Sequence, residues 1–160
     1  FFHHLIVQRK MIPLPVFLEH ASPEDCERAV ISLGYCIKNN AAGNIFNRDL
    51  DGRNYGVGSH TRVYLFDYDA LEAFTEVKIR SNSGRDDGEE DIPDWYFEDG
   101  VIFLPEEIEW GLRISDPKLR SLFRMKHGDL TRVDYWERIQ EELREDMVPQ
   151  IQVYPDSCRL

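Results

Sequence analysis

The run from Asn44 to Asp69 constrains this chain more than any other: Asn-Ile-Phe-Asn-Arg-Asp-Leu-Asp-Gly-Arg-Asn-Tyr-Gly-Val-Gly-Ser-His-Thr-Arg-Val-Tyr-Leu-Phe-Asp-Tyr-Asp. Two short apolar segments, 55–57 and 62–66, flank Gly58-Ser59-His60-Thr61, a turn signal. The pattern predicts a β-hairpin entered through a loop and left through an acidic pair. Closing it carries Asp49 and Asn54, ahead of the first strand, back toward Asp67 and Asp69, behind the second. A plain hairpin with solvated flanking acids accounts for the same residues, because Asp and Asn favour turns for local reasons.

Phosphoryl transfer needs such a set. One Asp accepts the proton of the acceptor hydroxyl, while an Asn and a second Asp hold the metal that bridges the phosphates. Asp49 and Asn54 have the Asp-x4-Asn spacing of the protein-kinase catalytic loop, and Asp67-Tyr68-Asp69 stands where those enzymes carry Asp-Phe-Gly. On this reading Asp49 is the general base; a carboxylate is already ionised at neutral pH. Asn54 is a neutral oxygen ligand, Asp67 the main metal carboxylate and Asp69 a second acid beside it. Mg2+, or Mn2+ in its place, takes one or two protein carboxylates plus phosphate oxygens and water. ATP or ADP is the nucleotide. Arg53 is a phosphate contact, although an ordinary surface arginine fits equally well. Asp51 lies where serine/threonine kinases commonly carry Lys.

Around these motifs the match becomes specific. Asn44-Ile45-Phe46, Asp49, Asn54-Tyr55-Gly56-Val57 and Phe66-Asp67-Tyr68-Asp69 resemble isocitrate dehydrogenase kinase/phosphatase. Upstream Gln8-Arg9-Lys10-Met11-Ile12-Pro13-Leu14, and downstream Thr75-Glu76-Val77, Pro105-Glu106-Glu107 and Asp134-Tyr135-Trp136, follow in that family's order. The resemblance covers nearly the whole chain. It implies the C-terminal part of a longer bacterial cytoplasmic enzyme that phosphorylates and dephosphorylates isocitrate dehydrogenase, controlling flux between the tricarboxylic acid cycle and the glyoxylate bypass. It implies one shared site for both activities, nucleotide present for each, and a special tie of Asp69 to the phosphatase direction. It also places Arg53 at the family's basic position. The family usually has an acid after Asp-Tyr-Asp, where this chain has Ala70.

The implied fold is α+β, mainly helical: a protein-kinase-like C-lobe with a short β-hairpin carrying the active-site loop. Residues 1–20 form a hinge-like segment and the start of that lobe, 21–148 the lobe, and 149–160 a tail. In this reading Leu5 and Val7 meet the adenine at the hinge; a buried strand or a helix start explains them as well. A glycine-rich loop and a strand Lys would precede Phe1, so the 160 residues alone are expected to be inactive. That Phe, not Met, opens the chain agrees with a fragment, a processed product or a partial gene model.

Composition narrows the partners. Net charge is −11, from 30 acids and 19 bases. Nucleic acid and anionic membrane both need a basic footprint, so neither is expected. No apolar run approaches ~20 residues and no signal-peptide pattern is visible. Three cysteines, an odd and sparse count without metal spacing, fit a reducing cytoplasm.

Elsewhere the periodicity predicts a short helix at 16–19 and a long one opened by Ser22-Pro23-Glu24-Asp25. The long helix buries Cys26, Ala29, Val30, Leu33, Ile37 and Ala41, and Gly43 follows at C′. Residues 71–79 read as helix or strand, and 81–94 as a mobile acidic loop. Trp95-Tyr96-Phe97 returns to the core or to an interface. Pro105 opens a helix to about Leu112, and Asp116-Pro117 caps another. Thr131 starts a helix by a capping box, with Val133, Trp136, Ile139, Leu143 and Met147 inward. His127 reads as a cation at a helix C-terminus, and His3-His4 as a structural pair. Two rival functions stay open. One is a non-catalytic protein-binding module with acidic and aromatic contacts. The other is a stand-alone phosphatase with Asp49 as nucleophile, weakened because no small hydroxyl residue follows Asp49-Leu50-Asp51. Metal binding separates the enzyme reading from the module.

Overall fold

The computed structural model describes residues 10–82, 99–149 and 151. The chain opens with β1 (Ile12–Pro13), α1 (Leu14–His20) and α2 (Pro23–Ala42), then β2 (Ile45–Asn47), β3 (Tyr55–Val57) and β4 (Val63–Leu65). Next come β5 (Leu71–Ala73), β6 (Lys78–Ile79) and β7 (Ile102–Phe103), then α3 (Ile108–Gly111), α4 (Pro117–His127) and α5 (Val133–Arg144). The architecture is α+β. The expectations at Leu5, Val7 and His3-His4, for residues 83–94 and for Trp95-Tyr96-Phe97 lie outside the described residues.

Helix α2 forms for the reasons its sequence announces. The Ser22 hydroxyl accepts the Asp25 amide at 3.2 Å, and Glu24 and Asp25 put negative charge in the first turn. Cys26, Ala29, Val30, Leu33, Ile37 and Ala41 are all buried. The end differs from expectation. Gly43 caps the helix with φ −86°, and the left-handed residue is Asn44, φ 59°. Asn tolerates that region because its short amide bonds locally. Here Asn44 Oδ1 accepts the Thr75 amide at 2.9 Å, and the Asn44 carbonyl accepts the Phe74 amide at 3.2 Å.

Gly34 is the close-approach point between α2 and α4. A Cβ there would lie 2.1 Å from the His127 ring. His127 is 1% exposed, and its Nε2 bonds the Ile31 carbonyl at 2.9 Å. A carbonyl only accepts, so Nε2 carries the proton. Burial, and then the Lys38 charge, push the His127 pKa down to about 4. The residue expected as a dipole-complementing cation is therefore a neutral buried ring. Lys38, also buried, is the cation of this region and pairs with Asp129 at 2.5 Å.

Three small sheets complete the described part of the fold. β1, β3 and β4 form one antiparallel sheet, β2 and β5 a second, and β6 and β7 a parallel pair. An aromatic centre joins them to α5. The ring centroids of Phe46 and Phe103, Phe103 and Trp136, and Phe74 and Trp136 lie 4.8, 4.9 and 5.4 Å apart. From α5 the buried Gln140 amide donates to the Phe74 and Val77 carbonyls at 2.7 and 2.8 Å. It thereby satisfies the turn between β5 and β6, which helix periodicity could not have located.

Other boundaries shift for local reasons. The hairpin strands are one residue shorter at each end of β4 than expected, and Ser59–Thr61 is a 3-10 turn with His60 and Thr61 at φ 58° and 55°. Residues 71–79 are neither one helix nor one strand: β5 and β6 flank the 3-10 turn Phe74–Glu76. Pro105 opens the 3-10 turn Pro105–Glu107 before α3. The capping box at Thr131 does not form. The Thr131 hydroxyl donates to the Gly128 carbonyl at 2.8 Å, and α5 begins after Arg132 without a side-chain cap. Trp136 and Ile139 are buried as expected, but α5 ends at Arg144 and Met147 is 48% exposed.

Two predictions follow from the α2–α4 contact. Gly34→Ala gains roughly 1 kcal/mol of helix propensity but forces a buried ring aside, at a cost of about 1–3 kcal/mol. Chemical denaturation of the polypeptide carrying this chain should therefore show net destabilisation, and a stabilised variant would refute the contact. His127 has a folded pKa below its unfolded value of ~6.5, so the unfolded state binds its proton first as pH falls. Its contribution is fully present above pH ~6.5 and is lost as pH drops through about 4. Denaturation midpoints measured across that window should slope less steeply in His127→Gln than in the parent; equal slopes would refute the burial of a neutral ring.

Candidate functional site

Two antiparallel ribbons, not one hairpin, assemble the predicted site residues. In the first, β3 pairs with β4, and one step further the Phe66 amide donates to the Asn54 carbonyl at 3.1 Å. Asp67 follows Phe66 directly, one residue past that pairing with Asn54. In the second, β2 pairs with β5, and one step further the Arg48 amide donates to the Ala70 carbonyl at 3.0 Å. That pairing sets Asp49, which follows Arg48, beside Asp69, which precedes Ala70. Both ladders end at the four predicted residues.

Side chains then fix the loop between the ribbons. The Asn54 amide nitrogen donates to the Asp49 carbonyl at 2.9 Å, and the Asp49 amide donates to Asn47 Oδ1 at 3.1 Å. The bond from Asn54 Nδ2 decides which way the amide faces, because a carbonyl cannot donate. Asn54 is 9% exposed, whereas Asp49 and Asp69 are exposed and Asp67 is half-buried. Asp67 Oδ1 accepts the Asp69 amide at 3.2 Å, an Asx-type turn that holds the pair in one geometry. Tyr68, 61% exposed, sends its hydroxyl back to the Leu65 carbonyl at 3.0 Å.

These groups fit a magnesium-type ion. With its nitrogen committed to Asp49, Asn54 offers Oδ1, and Asp67 offers carboxylate oxygen, the hard donors Mg2+ and Mn2+ take. Among the described residues no three His, Cys, Asp or Glu side chains cluster as a protein-only metal cage. Mg2+ does not require one, since phosphate oxygens and water complete its shell.

Asp51 is the residue that sequence reasoning passed over. Its side chain is 5% exposed and faces two guanidinium groups. Arg53 donates to it from the backbone amide at 2.8 Å, from Nε at 3.0 Å and from Nη2 at 2.8 Å. Arg113 Nε lies 3.2 Å from Oδ2. The Arg53 bonds, first, and the Arg113 charge hold the Asp51 carboxyl below its ordinary range against the opposing effect of burial. Arg53, read as a phosphate contact, is therefore anchored through two of its three guanidinium nitrogens. Arg113 stands at φ 52°, an uncommon conformation for a side chain of its size.

The loop meets the 111–113 segment backbone to backbone. A Cβ on Gly52 would lie 2.3 Å from the Leu112 carbonyl oxygen. Only glycine permits that approach, and Arg113, paired with Asp51, follows Leu112 directly. Between the two walls runs an open cleft of about 580 Å³, lined among others by Asp49, Asp51, Phe103, Glu107, Trp110 and Arg113. Trp110 is 79% exposed on its rim. A carboxylate buried between Arg53 and an arginine 60 residues further along the chain has no local sequence signature; the signal available was only an acid where kinases commonly carry a base.

The resemblance read from residues 44–69 holds across the chain. Residues 1–156 match the family model described as "Isocitrate dehydrogenase kinase/phosphatase (AceK) kinase domain". The isocitrate dehydrogenase kinase/phosphatase of Rhodopseudomonas palustris strain BisB5 is 54% identical over 159 residues, 99% of this chain and 25% of that protein. Its counterpart in strain HaA2 is 52% identical over the same share of both. The chain spans about a quarter of the length of the curated relatives it matches. With the family model covering nearly every residue, this chain belongs to the isocitrate dehydrogenase kinase/phosphatase family, in the part described as its kinase domain.

Proposed function

We propose that this chain is the C-terminal catalytic lobe, kinase-like in fold, of a bifunctional enzyme that phosphorylates and dephosphorylates isocitrate dehydrogenase on serine. The observation that carries this reading is the Asn54 amide bonded to the Asp49 carbonyl, with the Asn54 backbone paired to Phe66. It holds the candidate base and the candidate metal ligands in one unit. A Mg2+ or Mn2+ ion held by Asn54 and Asp67 would neutralise charge on the phosphates of ATP or ADP.

In the forward direction Asp49 orients the acceptor serine and accepts its proton as the serine oxygen bonds the γ-phosphorus and ADP leaves. Positioning and charge stabilisation supply most of the acceleration for such transfers. In the phosphatase direction water attacks the phosphoserine phosphorus, the bond from phosphorus to the serine oxygen breaks, and the serine leaves with a proton while inorganic phosphate is released. Asp69, exposed beside Asp67, is the carboxylate available to orient that water and take its proton. The balance between directions controls flux between the tricarboxylic acid cycle and the glyoxylate bypass in a bacterial cytoplasm. The 160 residues carry no glycine-rich loop with a following strand Lys; the parts that clamp the nucleotide belong to the rest of the polypeptide. Among the described residues no helix is long and apolar enough to cross a membrane.

The full-length polypeptide tests the base. Asp49→Asn should cut transfer of labelled phosphate from ATP to isocitrate dehydrogenase by at least ~10²-fold while nucleotide binding survives, and the 160-residue chain alone should incorporate none. Unchanged turnover in Asp49→Asn would reduce Asp49 to a turn residue. Calorimetry tests the metal. Asp67→Ala should weaken Mn2+ binding in the presence of ADP; equal affinity in the two proteins would remove Asp67 from the ligand set.

A further inference from the structure

We infer that Asp51 is a positioning residue that keeps arginine away from the base. This rests on Asp49 being the group that receives the serine proton. The loop from 49 to 54 is closed by the Asn54–Asp49 bond of 2.9 Å, so Arg53, next to Asn54, stands beside Asp49. The two already interact electrostatically. Arg113 lines the same cleft as Asp49. One guanidinium group therefore stands near an exposed carboxylate whose oxygens must stay open to the acceptor hydroxyl, and a second lines the same cleft.

Asp51 resolves the competition. It takes Nε and Nη2 of Arg53 in a fork that matches guanidinium geometry, reinforced by the Arg53 backbone amide. Its Oδ2 also draws in Arg113 at 3.2 Å. Its side chain is 5% exposed, so the carboxylate end of these bonds is withdrawn from water although the arginines are not, whereas an Arg–Asp49 pair would form with both partners exposed, where ion pairs are weak. Removing the Asp51 charge reverses that preference. Arg53, 67% exposed along its side chain and tethered in the same loop, is then free to bond the Asp49 carboxylate and occupy the lone pairs that the serine needs. The left-handed Arg113 backbone and the Gly52–Leu112 approach hold the second arginine in range of Asp51 without contacting any reacting atom.

The test is a mutant cycle in the full-length polypeptide. Asp51→Asn keeps the shape and removes the charge. In the parent it should lower the rate of phosphate transfer about tenfold or more. In a background carrying Arg53→Met and Arg113→Met it should change the rate less than about twofold, because no guanidinium remains to misplace. Comparable losses in both backgrounds, or no loss in the parent, overturn the inference and assign Asp51 a merely structural role. A crystal structure of Asp51→Asn gives a readout independent of activity. Arg53 bonded to the Asp49 carboxylate supports the inference; Arg53 left in place or turned to solvent overturns it. Should the unsubstituted full-length polypeptide transfer no phosphate at all, the functional reading falls, while the position of Arg53 in the variant structure still decides whether Asp51 holds it off Asp49.

Discussion

Two backbone hydrogen bonds carry the geometry of this molecule: Phe66 to Asn54 at 3.1 Å and Arg48 to Ala70 at 3.0 Å. Each extends a three-residue ladder by one step, and each ends beside a predicted site residue. Short ladders are weak by themselves; an isolated two-stranded ribbon is marginal in water. Their register is defined here because one set of side chains is buried. Phe46, Tyr55, Val57, Val63 and Leu65 are all buried, so a one-residue slip would turn these side chains outward and the acids inward. The hydrophobic register and the register of the candidate site residues are one constraint.

What lies behind the ribbons is rigid for a related reason. Gly34 lets the His127 ring sit against α2, Lys38 reaches Asp129, and Gln140 satisfies two carbonyls of the turn that follows β5. Each contact joins segments distant in sequence. Lys38 and His127 also share a charge problem. A protonated His127 beside a buried Lys38 would place two cations in one weakly solvated region, and the structure answers by keeping the ring neutral. The frame behind an exposed, charged loop is thus tied by buried polar contacts, His127 to Ile31, Lys38 to Asp129 and Gln140 to two carbonyls, which favour one arrangement over near alternatives.

How much of this was readable in the sequence depends on the range of the interaction. The α2 stripe and its Ser22 cap were legible because helix periodicity and capping are local. The β3–β4 hairpin was legible because its turn residues and both strands lie within one short window. The β2–β5 ribbon was not, since Ile45–Asn47 and Leu71–Ala73 are separated by the whole hairpin and each is three residues long. His127 was misread for the same reason: its position at a helix end is local, but its burial against Gly34 and Ile31 is not. Thr131 offered a cap by pattern, yet its hydroxyl turned back to Gly128 and a 3-10 turn took the place of the cap. The candidates Asp49, Asn54, Asp67 and Asp69 were proposed from spacing, whereas the burial of Asp51 and its pairing with Arg113 depend on a distant segment.

The contrast between Asp49 and Asp51 shows how one loop separates two uses of the same side chain. They are two residues apart, yet one is exposed and the other 4% exposed. Burial demands that a carboxylate be paired, and Asp51 is paired twice, by Arg53 and Arg113. Exposure demands nothing, so Asp49 is left with its carboxylate open toward the cleft while its backbone is held at both the amide and the carbonyl. Gly52 completes the division. Without a Cβ it lets the backbone press onto Leu112, which drives Asp51 inward and leaves Asp49 on the rim. A loop that leaves one acid open to the cleft and turns a neighbouring acid to its own scaffold needs a residue with no side chain between that scaffold and the next turn, and position 52 is where this chain has one.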